Sequence, residues 1–136
     1  MKKGKILIVI ANYYPKISKK LKKSSIEVLS KNFSYDEITV PGIFEIPVVI
    51  SKNIDSYDAF VALGCVIKGK TSHFELITNA VTHAIMALSI TYKKPIGNAI
   101  ISCLNKGQAS KRINKGAEAS TAVSKVLLGK IIKKWN

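Results

Sequence analysis

Cysteine is scarce in this chain: Cys65 and Cys103 stand far apart, with no Cys-x-x-Cys pair and no histidine at metal-ligand spacing. That argues against a disulfide framework and a zinc site, and both thiols read as small apolar strand residues. Long apolar runs are missing too. The stretch "AFVALGCVI" at 59–67 is far short of a bilayer span and contains a glycine. The opening "MKKGKILIVIA" is basic and then apolar, as a secretory signal is, but its apolar run stops at Asn12 with no small-residue cleavage site behind it. It reads as a strand, and the chain as a soluble cytoplasmic protein. Repeats and low-complexity tracts are absent, and 136 residues at 47% hydrophobic content suit a single domain over 1–136 with a proper core.

Acidic residues are also few, 8 against 22 basic ones, for a net charge of +14. An excess of this size can be the footprint of a nucleic-acid binder. Its make-up argues otherwise, because all but one of the basic residues are lysine and base-reading surfaces favour the guanidinium fork. The lysines are spread through "KISKKLKK", "TYKK" and "KIIKK", each beside apolar positions, as on solvated helix faces. No nucleic-acid or membrane partner is expected. An anionic small substrate would profit from the same field.

What is present is an alternation. "KILIVIA" (5–11) and "DAFVALGCVI" (58–67) are continuous β-rich apolar runs of the kind buried on both faces of a parallel sheet. "SKKLKKSSIEVLSKNF" between them has Leu21, Val28 and Leu29 near helical spacing, with Ser18 as its expected cap. A short strand ends at Val40 before Pro41-Gly42, and Pro47 suits the first turn of a second helix. Gly64, inside the third strand, marks a close approach. From His73 onward Phe74, Ile77, Val81, Ala84, Ile85 and Leu88 form an apolar helical stripe. "PIGNAIISCL" is the fourth strand, followed by helix that Gly116 is expected to interrupt, with a later stripe of Ala119, Ala122, Val123, Val126 and Leu127. Such alternation calls for an α/β fold, a three-layer α/β/α sandwich around a four-stranded parallel sheet.

Ligands of such folds bind beyond the carboxyl ends of the strands, which selects "ANYYP", "VPGIFEIP", "KGKTSHF" and "SCLNKGQASKR". In the third, Gly69 allows a tight turn, Thr71 or Ser72 caps the next helix, and Lys68 and Lys70 add charge to a helix start suited to phosphate. His73, in the first turn of that helix, is placed to shuttle protons; a histidine that merely satisfies a loop carbonyl is the alternative. His83 falls opposite the apolar stripe and reads as solvated. Glu45, between Phe44 and Ile46, could accept hydrogen bonds from ligand hydroxyls or complement a helix dipole. Tyr13 offers a flat face, and Arg112 a phosphate fork.

Together these segments resemble the lumazine synthases. "VPGIFEIP" is similar to their Val-Pro-Gly-Ala-Phe-Glu-Ile-Pro, "ALGCVIKGKTSHFELI" to their Gly-x-Val-Ile-Arg-Gly-x-Thr-x-His-Phe segment, "GQASKR" to Glu-Gln-Ala-x-x-Arg, and "NKGAEA" to their final helix. The resemblance runs in order from about Lys5 to the last helix. It implies a flavodoxin-like sheet of strand order 2-1-3-4 and a transferase that condenses 5-amino-6-(D-ribitylamino)uracil with 3,4-dihydroxy-2-butanone 4-phosphate, with neither metal nor organic cofactor. A non-catalytic flavin- or lumazine-binding protein of the same fold is the alternative.

Carried over by position, the resemblance has Tyr13 stack on the pyrimidine and Ile43, Phe44 and Glu45 line the ribityl chain. Cys65, Val66 and Ile67 contact the uracil, Lys70, Thr71 and Arg112 hold the phosphate, and His73 moves protons. Asn98 and Arg112 come from the adjacent chain of a homopentamer, with Lys115 near the pyrimidine. The chain departs from the family's pattern at Tyr13-Tyr14 (commonly Phe-Asn), Lys68 (Arg), Ser102-Cys103 (Thr-Thr) and Asn98 (often Phe). Only Ile113 and Asn114 separate Arg112 from Lys115, where capsid-forming members have a longer turn, so a pentamer or a decamer is expected in place of an icosahedral shell.

Overall fold

The computed structural model describes residues 2–69 and 73–129. Four strands, β1 (Lys5–Ala11), β2 (Ser34–Val40), β3 (Ala59–Ile67) and β4 (Ile96–Cys103), form one parallel sheet in the order β2-β1-β3-β4. Between them run α1 (Pro15–Leu29), α2 (Ile46–Lys52) and α3 (Phe74–Tyr92), and after β4 come α4 (Lys106–Lys111) and α5 (Lys115–Leu128).

Side-chain alternation along β1 builds both outer layers. Ile6, Ile8 and Ile10 face one side, where they pack with α1, α4 and α5, while Leu7, Val9 and Ala11 face the other, with α2 and α3. The central strands are therefore apolar at nearly every position, as the sequence predicts for strands covered on both faces. β2 is an edge strand with an exposed middle, and only Val40 at its end is buried.

Helix ends differ from expectation in three places. Ser18 is not the cap of α1: the helix starts at Pro15, whose ring suits a first turn, and the buried Ser18 hydroxyl donates to the Ala11 carbonyl at 2.7 Å, tying α1 to the end of β1. Gly116 does not interrupt the final helix. The chain breaks earlier, between Lys111 and Lys115, and Gly116 lies inside α5 because a side chain there would collide with α1: an added Cβ would stand 2.3 Å from the Leu21 carbonyl oxygen and 2.5 Å from Ser24 Oγ. Of the later stripe, Ala119 and Val123 are buried, whereas Ala122 and Val126 are exposed. At α3 the cap position is His73 itself, so His73 stands just ahead of the first turn; the alternative caps Thr71 and Ser72 lie outside the described residues.

Candidate functional site

The carboxyl ends of β1 and β3 and the turn after β2 enclose a cleft of about 330 Å³, lined by Tyr13, Tyr14, Gly42, Ile43, Phe44, Cys65, Val66, Ile67 and Ile77. Its position follows from the sheet order, since an α/β sheet opens where neighbouring crossovers leave on opposite faces, here between β1 and β3. Gly64 makes the floor possible: a Cβ there would come within 2.8 Å of Ile43 Cγ2, so only glycine lets the short 3-10 turn Ile43–Glu45 seat against β3. Gly69, with φ of 87°, lets the chain turn away after β3.

The walls are apolar, from Ile43, Phe44, Val66, Ile67 and Ile77, and two tyrosine rings stand at the end of β1. Tyr13 is 67% exposed and meets the Tyr14 ring edge to face, with centroids 4.9 Å apart and planes at 76°. Tyr14 is half-buried, and Lys106 Nζ lies 5.9 Å from its ring centroid. Burial, then the neighbouring Tyr13 and Cys65, raise the Tyr14 phenol above its ordinary range. Burial first, and then Cys103 beside it, push the Cys65 thiol up to about 12.

Six of the residues expected from the sequence are thus brought together: Tyr13, Ile43, Phe44, Cys65, Val66 and Ile67. Glu45 is not among the lining residues; its Oε1 accepts from the Gly42 backbone N–H at 3.0 Å, closing the 3-10 turn on itself. His73 is exposed, and its carbonyl accepts at 2.9 Å from the N–H of Ile77, the cleft residue one turn on. Lys70 and Thr71 lie outside the described residues. Tyr14, Gly42 and Ile77 belong to the lining without having been assigned to it; Tyr14 was signalled only by its place beside Tyr13, and Ile77 by its place in the α3 stripe.

Asn98, Arg112 and Lys115 are not in this cleft. Arg112 and Lys115 border a separate hollow of about 450 Å³ with Ile100, Ser102 and Glu118, beside the outer edge of β4. Arg112 Nη1 donates to the Ser102 carbonyl at 2.8 Å, which holds the exposed guanidinium against the end of the strand. Asn98 lies further back on β4, where its Oδ1 accepts from the Ile100 N–H at 2.9 Å. The two hollows belong to one reading only if a second copy brings its β4 edge to the cleft. Among the described residues no group of three or more His, Cys, Asp and Glu side chains could hold a metal ion.

Comparison with known proteins shows the family. The family model described as 6,7-dimethyl-8-ribityllumazine synthase matches residues 3–130. Proteins of that name from Bartonella tribocorum, Nitrobacter hamburgensis and Bartonella henselae are 45%, 39% and 42% identical to the chain. Those alignments cover 89%, 91% and 97% of this chain and 86%, 84% and 95% of the respective relatives.

Proposed function

The chain belongs to the 6,7-dimethyl-8-ribityllumazine synthase family, and on that premise we infer how its residues serve the reaction. It is a transferase of riboflavin biosynthesis that joins 5-amino-6-(D-ribitylamino)uracil to 3,4-dihydroxy-2-butanone 4-phosphate, releasing phosphate and water. The arylamine condenses with the ketone, expelling water; the resulting imine eliminates phosphate, and the enol left behind tautomerises to a carbonyl that the ribitylamino nitrogen attacks, closing the second ring with loss of another water. Each step moves protons between carbon, nitrogen and oxygen, so the protein must mainly hold two substrates in register and supply a proton shuttle.

The observation that carries the assignment of roles is the apolar cleft beyond β1 and β3 with two aromatic rings at its edge. A flat heterocycle fits it: Tyr13 stacks on the pyrimidine, Cys65, Val66 and Ile67 meet its polar edge through strand-end backbone, and Ile43, Phe44 and Glu45 follow the ribityl chain. Lys70, Thr71 and Arg112 bind the phosphate, His73 exchanges protons next to it, and Asn98 and Lys115 approach the pyrimidine.

Arg112, Lys115 and Asn98 reach the cleft from a neighbouring copy. Support comes from their separation within one chain, the edge of β4, unpaired among the described residues, and the outward side of α3, where Leu76, Met86 and Ile90 are exposed. α3 is 19 residues long with a mean hydropathy of 1.2, enough by length and composition to cross a membrane, but Val81 and Ile85 pack it onto the sheet. A homopentamer, alone or paired into a decamer, covers the rest of it. The proposed partners are accordingly small molecules and further copies of the chain, not nucleic acid or a membrane. The free thiols of Cys65 and Cys103 suit a reducing compartment, in keeping with a cytoplasmic enzyme.

The test is to mix the purified protein with both substrates and follow the lumazine chromophore. Steady formation is expected, and His73→Ala should slow it by about two orders of magnitude, the low end of what a positioned acid–base group contributes, with assembly intact. Ligand retention without turnover would favour the non-catalytic alternative, and an unchanged rate in the variant would remove His73 from the mechanism.

A further inference from the structure

We infer that Tyr14 is a positioning residue: clamped between the Tyr13 ring and Lys106, it fixes the Tyr13 ring in the attitude needed to stack on the pyrimidine. The inference rests on the reading of Tyr13 as the stacking residue. Tyr13 is 67% exposed, and among the described residues its one ring contact is the edge-to-face meeting with Tyr14 at 4.9 Å. An exposed aromatic side chain otherwise samples several rotamers, and freezing it on binding costs affinity.

Tyr14 is itself held on several sides. Its backbone is the cap residue of α1, with its carbonyl accepting from the Ser18 N–H at 3.0 Å, and Pro15 behind it fixes the entry to the helix. Its ring packs on the core beneath α1 and lies 5.9 Å from Lys106 Nζ at the start of α4. A held ring meeting a loose one edge to face narrows the rotamers of the loose one. The contact therefore prepays the ordering of Tyr13, and its loss should be felt in binding of the uracil substrate and not in the chemical step.

Steady-state kinetics of Tyr14→Ala, Tyr14→Leu and Tyr14→Phe test this, with the leucine variant keeping apolar bulk should alanine compromise folding. Expected is a rise of about three- to tenfold in KM for the uracil substrate in the alanine and leucine variants, the size set by immobilising one side chain, with kcat and the KM for the butanone phosphate nearly unchanged. Tyr14→Phe keeps the ring and should behave as the parent protein, and Tyr14→Ala should add nothing in a Tyr13→Ala background. An unchanged uracil KM in the alanine and leucine variants, a phenylalanine variant as impaired as they are, additive effects in the double variant, or kcat and both KM values moving together would each overturn the inference. Tyr13→Ala separates the two levels. If it spares the uracil KM the stacking reading itself fails, whereas if it raises that KM and the Tyr14 variants do not, only the positioning role fails.

Discussion

Cys65 shows how one side chain at the cleft records its surroundings. Burial, and then the Cys103 thiol beside it, raise its pKa from an ordinary 9.0 to about 12. The native chain therefore keeps a proton that the unfolded chain releases above pH 9, so the unfolded state binds fewer protons and stability falls as pH rises from 9 towards 12. Below pH 9 the contribution is fully present. Urea midpoints measured through that window should drop more steeply for the parent protein than for Cys65→Ser, which has no thiol to titrate; parallel curves would contradict the assignment. Tyr14 and Tyr57 are also raised, which is why the comparison is with a variant and not with pH alone. At this scale the sequence was readable where a motif fixes a backbone position: Tyr13, Phe44 and Cys65 to Ile67 lie where strand ends put them. It was less readable where a side chain could bend back on its own turn, as Glu45 does onto the Gly42 N–H, because that choice depends on local hydrogen bonds and not on residue type.

Elements were legible in order because the central strands β1 and β3 are apolar at nearly every position and α3 carries a clear apolar stripe; their ends were less so. Gly116 illustrates why. A glycine in a helical pattern suggests a break, but its helix cost of about 1 kcal/mol is smaller than the gain from bringing α1 and α5 into close contact. At that contact Ser24 Oγ donates to the Ile113 carbonyl at 2.9 Å and accepts from the Ala117 N–H at 3.1 Å, and the buried hydroxyls of Ser25 and Ser120 meet at 2.6 Å. Gly116→Ala puts a methyl 2.3 Å from the Leu21 carbonyl oxygen, so the helices must separate and those bonds must stretch. Although alanine is the better helix former, the variant should lose about 2–3 kcal/mol, the upper range for overpacking a close contact. In thermal unfolding that corresponds to a Tm about 5–10 °C lower for a chain of this size. An unchanged or raised Tm would show that helix propensity outweighs the contact.

For the whole molecule the governing conflict is between charge and apolar surface. A chain with a net charge of +14 repels its copies, yet Leu76 is 70% exposed and Ile90 68% on one helix, and Arg112, proposed for phosphate binding, lies away from the cleft it would serve. Exposed apolar side chains on an outward helix face suit an interface, and burying them at about 25 cal/mol per Å² over a standard-sized contact opposes the charge repulsion, which salt screens. Assembly should therefore tighten as salt is raised from low to physiological strength, opposite to the response of an interface held by ion pairs. Light scattering should give a particle of five or ten chains of 14.9 kDa. Leu76→Lys combined with Ile90→Lys places further charge on that helix and should yield single chains. If the cleft works only when a neighbour's Arg112 closes it, turnover must vanish with the assembly and return when the variant is driven together at high salt. Single chains that retain full turnover would refute the shared site, and a shell-sized particle in the parent protein would refute the size, since only Ile113 and Asn114 separate Arg112 from Lys115 at the turn that is longer in capsid formers.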